Sequence, residues 1–463
     1  MSNSEFFRHD RYVQSSSTAR GDSRDTRSTF ERDEDRLLYS QAFLRLDEVT
    51  QVAKTKVGRQ THNRLTHSLK VAQLAGRLAQ RLLAQHKEEL ADFLDPAVCR
   101  AASYIHDLGH PPFGHIGEYT LDELLTQRPA PNSISLKERF GPWAQEDDID
   151  DDGFEGNAQS FRIVTALERN KARDHGLGLS RATLNASLKY PWGKTAGRRK
   201  YGYYSVDVEA FNFARSGFSA AQDERRSLEA EIMDFCDDIA YCIHDVQDFF
   251  RIGLIPVDQL RSESGWEDFA KLVQEKYPEV EDDHWSRDVE GGHATRNHLQ
   301  HLLKGGFDHS SEAISTLTRF ARDLTGDLLA EVSVTMTNKH LEVPPLTLSI
   351  VSWLKAITRN YVIDSSALSE MQYGQQKILW DVYRILLQDL KAKGKLLPKY
   401  VLENHTALES HCSKLQRAGK IHENSKLSPA ARSVVDYISS RSESEVLTLH
   451  RRLTGVDSSH LLG

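Results

Sequence analysis

Residues 97–118 read AVCRAASYIHDLGHPPFGHIGE, and the organisation of the chain follows from how this stretch begins and ends. Val98, Cys99 and Ala102 lie behind His106 at helical spacing, so His106 continues the small apolar face of a helix. Asp107 comes next, and Gly109 with Pro111-Pro112 then stops the helix. A histidine and an aspartate buried side by side at a helix end are costly unless both are paired. A divalent cation satisfies both, because it takes a neutral imidazole and an ionised carboxylate and balances their desolvation. Past the turn, His115 and Glu118 stand three residues apart. If a helix starts there they share a face and form a general acid–base pair beside the metal.

Upstream, RLTHSLKVAQLAGRLAQRLL (64–83) steps through His67, Val71, Leu74, Leu78 and Leu82, so His67 extends an apolar stripe toward the interior. A lone histidine there is more often a satisfied core residue. The cluster changes that reading. Of 20 histidines, six (His62, His67, His86, His106, His110, His115) fall within residues 62–115, where even spacing would put about two, so a metal or acid–base site is expected. Downstream, SLEAEIMDFCDDIAYCIHDVQDFFRIGLIP (227–256) carries an apolar stripe of Leu228, Ile232, Phe235, Ile239, Cys242, Val246 and Phe250. A second face holds Asp237, Tyr241 and Asp245 at i, i+4 and i+8. An acidic face usually meets water, but a tyrosine among the acids suits a pocket floor. From the residues alone, the adjacent Asp237 and Asp238 are both open as the acidic ligand from this helix.

The rest of the chain sets the frame. Its 463 residues with 39% apolar content can bury a sizeable core, and helical patterns dominate to the C-terminus, so an all-α fold is expected. The net charge of −8 argues against a general nucleic-acid coat protein. No apolar run reaches membrane-span length, and the N-terminus lacks the apolar core of a secretion signal, so no membrane association and a cytoplasmic location are expected. Four scattered cysteines without a CxxC exclude a disulfide scaffold or structural zinc cage and suit a reduced compartment. Residues 1–28 read as a mobile tail, 29–61 as an N-terminal helical segment, 62–245 as a metal-binding catalytic core and 246–463 as a helical region packed on it. Residues 128–153, with three prolines and the run Glu146 to Asp152, read as a polar surface excursion. Residues 173–204 hold seven Lys/Arg against one acid, Asp174. They read as a solvated basic loop or a site for a polyanion such as a polyphosphate. Gly193-Lys194-Thr195 is not a P-loop, since Leu188 stands where the first glycine is needed and Gly197-Arg198-Arg199-Lys200 follows.

With His67, His106-Asp107 and a distal aspartate in order, the chain resembles the HD-domain phosphohydrolases. Within them it is most similar to the deoxyguanosine triphosphate triphosphohydrolase family. RDEDRLLYS, RLDEVTQV, HNRLTHSLKVAQLA, HDLGHPPFGHIGE, GFEGNAQSFRIV, LKYPW, KYGYY, MDFCDDIAYCIHDVQDFF and VVDYISS run in family order from about residue 32 to 440. HDLGHPPFGHIGE together with GFEGNAQ is the specific part. The resemblance implies an HD-domain helical fold with additional C-terminal helices. It also implies hydrolysis of a deoxynucleoside triphosphate to deoxynucleoside and tripolyphosphate. By motif match His67, His106, Asp107 and Asp237 would hold the metal, the family spacing to Tyr241 and Asp245 selecting Asp237 over Asp238. Tyr241 and Asp245 would contact the deoxyribose, Arg64, Lys189 and Lys200 the phosphates, and Gln51 and Asn157 the nucleotide pocket. His115 and Glu118 would act on the attacking water. Two imidazoles and two carboxylates suit Mg or Mn first, with Fe, Co or Ni also compatible. A homo-oligomer is expected, and a nucleotide effector and single-stranded nucleic acid are open as further partners. The chain departs from the family after DYI, where Ser439-Ser440-Arg441-Ser442-Glu443 replaces a Gly-Met-Thr-Asp type stretch, and in the acidic run at 146–152. The competing readings are an HD hydrolase of another nucleotide and a nucleotide sensor or single-strand binder that kept the fold.

Overall fold

The computed structural model describes residues 7–12, 25–50, 62–130, 133–143, 145, 148–169, 176–195, 197–218, 224–276, 287–302, 305–363, 366–421 and 425–456. Among them the chain forms twenty α-helices. In the N-terminal half these are α1 (Thr29–Leu38), α2 (Gln41–Arg45), α3 (Arg64–Gln85), α4 (Lys87–Leu90), α5 (Pro96–Ile105), α6 (Gly114–Thr126), α7 (Leu136–Phe140), α8 (Gly156–Arg162), α9 (Arg181–Ala186), α10 (Val208–Arg215) and α11 (Leu228–Arg251). The C-terminal half adds α12 (Val257–Arg261), α13 (Glu263–Lys276), α14 (Val289–Leu299), α15 (Ser311–Ala330), α16 (Pro345–Thr358), α17 (Ser366–Lys391), α18 (Lys399–Arg417), α19 (Pro429–Ser439) and α20 (Glu443–Thr454). The all-α expectation holds. The one sheet among the described residues is a two-stranded antiparallel hairpin, β1 (Ser333–Thr335) with β2 (His340–Glu342), in which Val334 faces Leu341. No described helix is long and apolar enough to cross a membrane.

Helices α3, α5 and α11 pack pairwise into the centre of the molecule. Each starts on a side chain that accepts an otherwise unpaired backbone N–H: Asn63 for α3, Asp95 followed by Pro96 for α5, and Ser227 for α11. The stripe read from the sequence of α11 is buried along its whole length, from Leu228 to Phe250. Each large apolar chain so covered contributes about 1.5–3 kcal/mol of transfer free energy. Gly76 permits the close crossing of α3 and α5, because a Cβ there would lie 2.9 Å from the Arg100 Cγ. Helices α15 and α16 cover α11, α14 packs on α16, and α17, α19 and α20 close a second apolar cluster over α6.

Two sequence expectations are revised. Residues 7–12, read as part of a mobile tail, are anchored to the core: buried Arg8 pairs with buried Glu229, and Arg11 pairs with Asp33 at 2.7 Å. Arginines in a polar segment can dock as firmly as apolar side chains when buried carboxylates wait for them. The acidic run is not a surface excursion throughout, since Asp148, Asp150 and Asp152 are buried. Asp148 takes Lys391 at 2.9 Å, Asp150 takes Arg432 at 2.8 Å, and Asp152 accepts from Ser205 N and Oγ. The alternation 148, 150, 152 places these carboxylates inward, where cations from the C-terminal half neutralise two of them. Helix α11 runs unbroken through 245–246 and so belongs both to the central helices and to the region after them.

Candidate metal centre and active site

Helix α5 ends at Ile105, and residues 106–113 form a tight turn before α6. Gly109 is required here. A Cβ would come within 2.0 Å of the Gly156 carbonyl oxygen and 2.3 Å of Ser160 N on α8. Ser160 Oγ accepts from Gly109 N at 2.8 Å and donates to the His106 carbonyl at 3.0 Å. Phe113 adopts φ 71°, a left-handed conformation that a non-glycine residue holds only under tertiary restraint.

This turn brings His106 and Asp107 against His67 of α3 and Asp237 of α11. The ligand atoms of buried His67, His106 and Asp107 all lie within 4.8 Å of one another. Asp237 Oδ1 sits 2.9 Å from His67 Nε2 and 3.4 Å from His106 Nε2. His106 Nδ1 donates to the Ser103 carbonyl at 2.6 Å, so Nε2 is the ring nitrogen turned to the cluster, and a cation bound there would displace its proton. His106 Nε2 and Asp107 Oδ2 are buried and have no hydrogen-bond partner among the described residues. Burial works against charge on His106, yet Asp107 and Asp237 carry its pKa up to about 9. The centre therefore holds an excess of negative potential and unpaired donor atoms, and a divalent cation fits both features. Asp238 points elsewhere: its Oδ1 receives Lys355 of α16 at 2.7 Å.

Cationic side chains surround the cluster. Arg64 Nη1 donates to Asp107 Oδ1 at 2.8 Å, both groups being buried. Burial alone would raise the Asp107 pKa, but Arg64 and the neighbouring histidines hold it well below the usual carboxylate range. Lys189 lies 2.5 Å from Asp234 and 3.3 Å from Asp237. Burial disfavours its charge, and these two carboxylates raise its pKa nonetheless.

A second group lies past the turn. His115 Nδ1 is 3.4 Å from Glu118 Oε2 on the first turn of α6. The His115 side chain is 55% exposed and that of Glu118 is buried. Glu118 Oε1 accepts from Gly156 N at 3.0 Å and lies 3.3 Å from Lys200 Nζ. Burial pushes the Glu118 carboxyl up, and Lys200 with His115 pulls it well below its ordinary value. Lys200 also reaches Glu155 at 3.1 Å, and Glu155 accepts from Asn157 Nδ2 at 2.8 Å. His110 bridges the two groups, with Nδ1 3.0 Å from Asp107 Oδ1 and its ring 6.0 Å from that of His115. Burial, followed by Arg64, lowers the His110 pKa to about 4.

The structure thus gathers His67, His106, Asp107, Asp237, Arg64 and Lys189 in one cluster and His115, Glu118, Lys200 and Asn157 in the next. Tyr241 and Asp245 form a third group one turn apart on α11, with Asp245 buried. Gln51 lies outside the described residues. Sequence reasoning passed over Glu155, although it stands in GFEGNAQ, and His244, whose ring stacks on His62 at 4.2 Å and meets His67 edge-on at 5.7 Å. Of the basic stretch, Lys189 and Lys200 belong to the site, each held by two carboxylates and not by solvent.

Residues 64–142 match the HD domain and residues 341–452 the phosphohydrolase-associated domain. The chain is 32% identical to a deoxyguanosinetriphosphate triphosphohydrolase-like protein of Corynebacterium glutamicum (strain R), over 97% of this chain and 96% of that protein. It is 32% identical to a protein so named from Corynebacterium efficiens, over 93% and 92%. A third, from Streptomyces coelicolor, is 29% identical over 94% of each chain.

Proposed function

The chain belongs to the deoxyguanosinetriphosphate triphosphohydrolase-like family of HD-domain phosphohydrolases, and from that premise we propose that it hydrolyses deoxynucleoside triphosphates to deoxynucleoside and tripolyphosphate. The observation that carries this reading is the joining of two groups by one turn. The buried His67–His106–Asp107–Asp237 cluster has unpaired donor atoms, and the His115–Glu118 pair stands beside it. In this reading His67, His106, Asp107 and Asp237 hold the divalent ion, Mg or Mn by preference. Bound there, the ion would polarise a phosphate oxygen and lower the pKa of water.

The chain's own residues supply the rest. Arg64, Lys189 and Lys200 offset the charge of the triphosphate. Lys189 and Lys200 are held ready by carboxylates, and a phosphate competes for them without their having to leave solvent. Glu118, kept ionised by Lys200 and Gly156 N, orients His115 through Nδ1 and leaves Nε2 for proton transfer. Water adds to the α-phosphorus, the bond to the 5′-oxygen breaks, and that oxygen ends protonated. Tyr241, one turn before Asp245 on α11, faces the deoxyribose and leaves a 2′-hydroxyl without room or partner, which disfavours ribonucleotides.

The test is to incubate the purified protein with each dNTP, and with GTP, in Mn or Mg. The phosphate product is then identified by ion chromatography. Tripolyphosphate from dNTPs, with GTP turned over far more slowly, is the expected result. Release of pyrophosphate or orthophosphate would overturn the assignment.

A further inference from the structure

The geometry points to Arg45 as a positioning residue for the turn that carries His106, Asp107 and His110. Arg45 is the last residue of α2. Its Nη2 donates to the Leu108 carbonyl at 2.5 Å and to the His110 carbonyl at 3.0 Å, and its Nη1 donates to the Arg441 carbonyl at 3.2 Å. The turn is thereby gripped by two side chains. Ser160 holds the His106 carbonyl and Gly109 N, while Arg45 holds the carbonyls of Leu108 and His110. Through Nη2 the guanidinium takes both turn carbonyls while Nη1 takes the Arg441 carbonyl, and a lysine ammonium, a single point of donation without the planar fork, matches all three poorly.

The other end of this tie lies in the C-terminal helices. Arg441 sits between α19 and α20. Around it Thr50 N and Oγ1 donate to Glu443, and Ser442 Oγ donates to Glu48. Residues 45–50 are thus stitched to 441–443, and Arg45 carries that seam on to the metal-bearing turn. The stretch 439–443 is where the sequence leaves its family's usual pattern, yet the contact with Arg45 uses the Arg441 backbone carbonyl and survives a change of side chain. Arg45 also lines a cavity of about 1040 Å³ bordered by Arg162, Asp207, Asp436 and Arg441, so it can be reached from outside.

Arg45 acts through the turn and touches neither the metal cluster nor the substrate groups assigned above. Only its kinetic readout rests on the proposed hydrolysis. The experiment compares wild type, Arg45→Lys and Arg45→Ala as full-length, Mn-supplemented protein. Three readouts are taken: backbone hydrogen exchange by peptide, Mn affinity, and kcat with KM for the preferred dNTP. The expected result is faster exchange confined to residues 106–113 and neighbouring peptides. With it, kcat should fall by about tenfold in Arg45→Lys and up to a hundredfold in Arg45→Ala, the usual effect of a slight misplacement of catalytic groups. KM and Mn affinity should stay within about threefold, and millimolar methylguanidine should restore part of kcat to Arg45→Ala. Unchanged exchange over 106–113, or a rise spread evenly over all helices with no rescue, would overturn the inference. Should the wild type turn over no nucleotide, the proposed function falls, and the exchange pattern still decides Arg45.

Discussion

Exchanging Asp237 and Asp238 for asparagine one at a time separates metal binding from stability within a single helical turn. The two residues project about 100° apart. Asp237 meets His67 and His106, and Asp238 meets Lys355. Asp237→Asn keeps the shape of the side chain and removes the charge that balances a cation in a buried centre. Removing one member of a buried charged set costs about 3–5 kcal/mol, which at 1.36 kcal/mol per decade is a loss of roughly two to three and a half decades in Mn affinity. Stability without metal should fall less, because Asn retains an oxygen for His67. Asp238→Asn should behave in the opposite way. Its ion pair with Lys355 is partly exposed, so unfolding free energy should drop by only about 1 kcal/mol after allowance for solvent screening. Mn affinity should change by less than about threefold. Calorimetric titration with Mn and urea unfolding without metal measure the two quantities on the same samples. If Asp238→Asn loses the metal and Asp237→Asn keeps it, the rotation of α11 described above is wrong. Tyr241 and Asp245, one and two turns further along that face, would then lose their assigned roles as well.

Two further outcomes are expected. His115→Ala and Glu118→Gln should retain Mn and nucleotide while kcat falls by about a hundredfold, and the double variant should be little worse than either, because the pair acts as a unit. Loss of Mn from His115→Ala would instead make His115 a ligand. Asp152 titrates high, at about 6, because burial and then the neighbouring Asp150 oppose its charge more than Arg432 and Ser205 favour it. Between about pH 4 and 6 the folded chain therefore holds a proton that the unfolded chain has released. Stability contributed there falls as pH rises through that window, by at most about 2–3 kcal/mol. Urea unfolding of wild type and Asp152→Asn at closely spaced pH values checks this: the asparagine variant should lack that slope, and identical slopes would refute it.

What the sequence by itself determined is what repeats along one helix or sits within one turn. The spacing of His67 with Val71, Leu78 and Leu82 marked the inner face of α3, and Leu228 to Phe250 marked that of α11, because burial of a helix face is written at 3.6-residue intervals. His106-Asp107 with Gly109 and the prolines, and His115 with Glu118, were equally legible, since each group is joined by a few covalent bonds. What only the tertiary structure decided is which charge meets which. Asp237 and Asp238 differ by one step on a helix buried on several sides, and the neighbours are chosen by how α3, α5 and α16 pack around it. Asp150 and Arg432 meet across 282 residues, which turns an acidic run that looked solvated into part of the interior. Lys189 and Lys200 read as loop cations until their carboxylates arrive from α11, α6 and the residue that caps α8. Arg45 reads as the polar end of a short helix, and only the folded chain sets its guanidinium against the carbonyls of a turn more than sixty residues away. Local periodicity encodes which side of an element is inside. Ion pairs and hydrogen bonds across long separations are paired only once the elements have docked, when desolvation makes every unpaired group costly.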